Sequence, residues 1–97
     1  MNSYTHPILT DLSKSLPKNS ITYKYIHGPE NFEKVAAQAR EEFECLSELD
    51  ADPARKKQLF EYGYEDTLKD LEDEDRLRLI GVLKLVIELA EELAEEY

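Results

Sequence analysis

This sequence predicts a mostly α fold, a small bundle of three or four helices with a short N-terminal strand or extended arm. Three observations predict it. Glycine and proline number only three and four in 97 residues, too few breakers for a meander of short strands. Charged residues make up 35% of the chain, a composition that suits helices with long solvated faces. Apolar residues also recur at helical spacing through residues 32–46 and again through 79–97. At this length the chain is expected to form a single domain, 1–97, around one modest core.

Residues 1–20 hold Pro7, Pro17 and several Ser, Thr and Asn. They read as an irregular arm with a turn near Thr10 to Leu16. In "SITYKYIHG", Ile21, Tyr23 and Tyr25 alternate with Thr22, Lys24 and Ile26. β-branched and aromatic residues at period two predict a short strand, whose partner would be the arm near "SYTHPIL" or a second subunit. "HGPENFEKVAAQAREEFECLSEL" reads as a helix, with Pro29 in its first turn and Glu30 and Glu33 at its positive end. Phe32, Val35, Ala36, Ala39, Phe43 and Leu46 form a stripe roughly 100° wide. In "DADPARKKQLFEYGY", Asp52 suits the cap, Pro53 the first helical position and Gly63 the residue past the end; Leu59, Phe60 and Tyr62 are expected to face inward. Thr67 and Asp70 resemble a capping box, and a kink or short loop is expected at Glu72 to Asp75.

The last helix, "DRLRLIGVLKLVIELAEELAEEY", is apolar over roughly 220° of its circumference, about twice what one neighbour covers. Either other helices of the chain flank it on two sides, or a second chain covers one face. Large exposed apolar patches usually mark contact sites, so an intermolecular interface is expected at Leu79, Leu83, Val86, Ile87, Ala90 and Leu93.

The net charge is −10 and unevenly spread: +2 over residues 1–27 and −12 over residues 28–97. A surface that negative repels nucleic acid and anionic lipid and favours a protein partner with a basic surface. Cys45 is the only cysteine, which excludes an internal disulfide. Residues 1–20 have no apolar run long enough for a signal peptide. Leu79 to Ala90 falls short of a membrane span. A cytoplasmic protein with no membrane association is the expectation.

No motif amounts to a reaction. Glu88, Glu91, Glu92 and Glu95 recur at helical spacing, and "IELAEELAEEY" resembles half of the EExxE pattern with which all-α nucleotide pyrophosphatases bind magnesium. That resemblance implies a magnesium-dependent nucleotide hydrolase; solvation of the polar face accounts for the same acids. Glu41, Glu44 and Glu48 sit opposite the stripe of their helix in the same way. His6, His27 and Cys45 are scattered, without zinc-site spacing, and Cys45 falls on a helix flank as an inert thiol. Ser3, Ser13, Ser15, Ser20 and Ser47 lack a nucleophile-elbow setting. Tyr23, Tyr25, Lys18 and Lys24 combine aromatics with positive charge, a pattern that can stack on bases, although core or interface explains it as well.

The run Glu61 to Asp75 carries eight acids against Lys69. It serves either as a solvated connector or as an acidic docking patch formed by Glu65, Asp66, Asp70, Glu72, Asp73 and Asp75. In composition it is similar to the small acidic phage proteins that mimic nucleic acid and inhibit nucleases. The reading that results is a non-catalytic, regulatory or protein-interaction protein, a homodimer through its C-terminal helix, meeting another protein through an acidic or apolar face. No cofactor and no metal are expected. A nucleic-acid-mimicking inhibitor of a DNA- or RNA-binding protein is the alternative.

Overall fold

The computed structural model describes residues 6–28, 31–61, 64, 69 and 71–96. Among them the chain is mostly helical and has no strand: α1 is Pro7–Ser13, α2 Ile21–His27, α3 Phe32–Ser47, α4 Pro53–Glu61 and α5 Asp73–Glu96. The mostly α class is therefore correct; the described residues hold five helices rather than the expected three or four, and the two N-terminal expectations are not met. α3 and α5 pack along each other as the central pair. α2 and α4 lie against α3, and α1 bridges α2 and α5.

The expected irregular arm contains α1. Pro7 sits at the first helical position, where its missing N–H is no loss. His6 caps the helix, its Nδ1 accepting from the Ile8 N–H at 3.3 Å. The expected strand is α2. Ser20 caps it, accepting weakly from the Tyr23 N–H at 3.5 Å. The buried residues of this segment are Thr22 and Ile26, one helical turn apart. Seven residues are too few to separate period two from period 3.6, and the packing on α3 decides it. Gly28 closes α2 where a Cβ would stand 2.8 Å from the Lys24 carbonyl oxygen.

α3 starts later than expected. Asn31 is its cap, Oδ1 accepting from the Lys34 N–H at 2.8 Å; Pro29 and Glu30 lie outside the described residues. α4 begins as read, with the Asp52 carboxylate accepting from the Ala54 N–H at 3.0 Å. Leu59 faces inward, but Phe60 is exposed, and Tyr62, Gly63 and the Thr67–Asp70 pair are outside the described residues. Tyr64 fills the inward position instead and is wholly buried. α5 opens on Asp73, Glu74 and Asp75, three acids at the positive end of the helix. Arg40 pairs with Glu91 across α3 and α5, and Arg76 ties the start of α5 to Asp50 at 2.8 Å.

The two described interior glycines behave oppositely. Gly81 stands on the exposed side of α5 with nothing within 4 Å of an added Cβ. Gly81→Ala is expected to stabilise by about 0.5–1 kcal/mol through helix propensity. Gly28→Ala is expected to destabilise by about 1–3 kcal/mol, because the clash is with backbone. Urea denaturation midpoints of the two variants check both signs.

Candidate functional site: a buried carboxylate network and the groove between α1 and α5

All six residues expected to form an interface on the last helix lie in the chain's own core. Leu79, Leu83, Val86, Ile87, Ala90 and Leu93 are each no more than 8% exposed. They occupy roughly 120° of the helix at 100° per residue. Ile80, Val82 and Leu89 form half-buried shoulders. Only beyond the Leu89 shoulder does a large apolar side chain of this arc reach solvent, at Leu85, 52% exposed. Most of the surplus apolar circumference is thus covered within the molecule, chiefly by α3 and α1.

The uncovered part is local. Leu85 and Leu89 of α5 face Ile8 and Leu12 of α1 across an open groove of about 290 Å³, with Glu88 and Glu92 on its α5 side. Ile8 is 55% exposed. Two of the four large hydrophobics exposed among the described residues therefore meet in this one groove.

Of the acidic patch, Glu65, Asp66 and Asp70 lie outside the described residues. Glu72 is exposed, and its carbonyl accepts from the Arg76 N–H at 2.9 Å. Asp73 lies 3.4 Å from Arg76 and Asp75 3.7 Å from Arg78. Asp73 and Asp75 thus balance the charge of arginines in the first turns of α5. Glu88, Glu91, Glu92 and Glu95 are exposed, and among the described residues no three His, Cys, Asp or Glu side chains are placed to share a metal ion. No described helix is long and apolar enough to cross a membrane.

The residue that composition and stripe analysis missed is Glu42, which is completely buried. Its carboxylate accepts from Ser20 Oγ at 2.9 and 2.8 Å, from the Thr22 N–H at 3.0 Å, from the Tyr64 hydroxyl at 2.9 Å and, weakly, from Gln38 Nε2 at 3.5 Å. Two other segments, the start of α2 and the chain at Tyr64, converge on one side chain of α3, and the donor from Thr22 is an early orphan amide of α2. All these donors are neutral. Loss of solvation outweighs them and holds the carboxyl above its ordinary value of 4.5. Tyr64 is pushed upward by burial and by the adjacent carboxylate, so it remains a hydroxyl that donates.

The sign of the pH effect follows. Folded Glu42 binds its proton more tightly than the unfolded chain does. Its contribution to stability is full below about pH 4.5 and is lost as the pH rises through the higher folded value. The melting temperature is therefore expected to fall as the pH rises above about 4.5 in the wild type. The decline should be smaller in Glu42→Gln, whose side chain does not titrate. Parallel melting curves for the two would remove Glu42 as the cause.

Two other pairs are structural. Ser13 Oγ lies 2.8 Å from His27 Nε2, but it also donates to the Thr10 carbonyl at 2.6 Å. The histidine nitrogen is then the donor, and the buried hydroxyl has no proton to give a base. His27 also lies against Tyr23, ring centroids 4.4 Å apart. Cys45, expected on a flank, is buried between α3 and α4 with its thiol 3.6 Å from Gln58 Oε1. Burial raises its pKa, which keeps it a poor nucleophile.

No protein-family model matches this chain, and neither a curated protein nor a solved structure is significantly similar to it.

Proposed function

We propose that this is a non-catalytic interaction protein that docks another protein through the groove between α1 and α5. One observation carries the reading: Ile8 and Leu85, both more than half exposed, converge with Leu12 and Leu89 on a single surface. Apolar side chains scattered singly over a surface need no explanation, whereas grouped ones mark contact sites. The groove is open and its lining is mostly aliphatic. It offers few converging polar groups of the kind that orient a small molecule. The six α5 residues expected at a self-association interface are buried within the chain, which supports the exposed Leu85 shoulder as the docking surface instead.

A photo-reactive amino acid placed at position 85 in the native cell is expected to cross-link to protein. The same group at position 60, on the exposed face of α4, is the control. Equal cross-linking at both positions, or none at 85, would count against the groove as the docking face.

A further inference from the structure

We infer that the occupant of the α1–α5 groove is an amphipathic helix of a different protein, with basic residues flanking its apolar stripe. The inference rests on the docking reading above and adds the chemistry of the partner.

The walls argue for a helix. Ile8 and Leu12 are four residues apart on α1, and Leu85 and Leu89 are four apart on α5. Each wall therefore repeats once per helical turn, the pitch at which the side-chain ridge of a third helix interdigitates. Helix-in-groove docking uses anchors at this spacing.

The rim argues for the charge. Glu88 and Glu92 line the groove one turn apart, beside Leu85 and Leu89. Glu95 continues the same flank, and Lys84 precedes it by one turn. On α1 the charges cancel, since Asp11 pairs with Lys14 at 3.4 Å. The side of the occupant that faces α5 must then carry Lys or Arg at the same one-turn spacing. A second copy of this chain fits poorly. Its own Leu85–Leu89 ridge would bring Glu88 and Glu92 against their counterparts, between two molecules each of charge −10.

The test uses the full chain and a labelled peptide of about 14 residues, about four helical turns. The peptide carries Leu at helical spacing flanked by Lys, and a counterpart has every Lys replaced by Glu. Fluorescence anisotropy should show saturable binding of the Lys peptide and little of the Glu peptide. Ile8→Ser and Leu85→Ser, both at exposed positions, should each weaken binding about tenfold. Glu88→Lys with Glu92→Lys should weaken the Lys peptide and admit the Glu peptide. Binding of the Lys peptide that is indifferent to Ile8→Ser and Leu85→Ser would mean bulk charge attraction and would overturn the inference. So would equal binding of the two peptides. Sedimentation showing a dimer that Leu85→Ser dissociates would make a second copy the occupant. That result overturns this inference while leaving the docking reading in place, whereas failure to cross-link at position 85 would remove both.

Discussion

Glu42→Leu is expected to bring the protein close to unfolding. Leucine has about the right volume but accepts nothing. Ser20 Oγ, the Thr22 N–H and the Tyr64 hydroxyl would be left buried without their acceptor. Each orphaned group costs about 1–3 kcal/mol. Part of this is offset because the desolvated carboxylate is gone. A net loss of about 3–5 kcal/mol is expected, against the ~5–15 kcal/mol that holds a typical domain. Glu42→Gln keeps an acceptor for Ser20 and Thr22 and can donate to the Tyr64 oxygen, so it should lie within about 1 kcal/mol of the wild type at neutral pH. Adding Tyr64→Phe to Glu42→Leu removes one orphan and should restore about 1–2 kcal/mol, a coupling that a double-mutant cycle isolates. Urea titration followed by circular dichroism measures these three variants, the Tyr64→Phe single variant that closes the cycle, and the wild type. A Glu42→Leu variant as stable as the wild type would show that the network contributes nothing net.

The second large effect separates neighbours on one helix. Leu83 is fully buried and Leu85 is 52% exposed. Leu83→Glu puts an unpaired carboxylate into the core, which costs several kcal/mol beyond the lost apolar burial. Loss of the helical far-ultraviolet signal is the expected result. Leu85→Glu should keep that signal and shift stability by no more than about 0.5 kcal/mol. Sedimentation of the two variants beside the wild type reads the assembly state at the same time. A folded monomer produced by Leu83→Glu from a wild-type dimer would move the core of α5 into an intermolecular interface.

The long helices were legible because their signals are local and repeated. The α3 stripe recurs over four turns, Asp52 and Pro53 announce α4, and α5 carries apolar residues at every turn. α2 is not legible, because its seven residues satisfy both periodicities and nothing local marks Ser20 as a cap rather than a loop residue. Glu42 was half legible. It stands seven residues after Val35 and four before Leu46, within roughly 20–40° of both around the helix axis. A search of the stripe for its exception would have found it. Its partners could not be found that way, since Ser20 and Tyr64 each lie 22 residues away in sequence and only tertiary packing unites them. The groove failed for a related reason. The sequence shows how wide the apolar arc of α5 is, but which part of it stays uncovered depends on where α1 lands.

The bond from Thr22 to Glu42 also turns one backbone proton into a reporter. Amides in the first turn of a short helix normally exchange with solvent within moments. This one points into a sealed carboxylate, 3.0 Å from the oxygen, and so should persist in deuterated buffer as long as the central rods do. Its resonance would follow the ionisation of a group that no reagent can reach from outside.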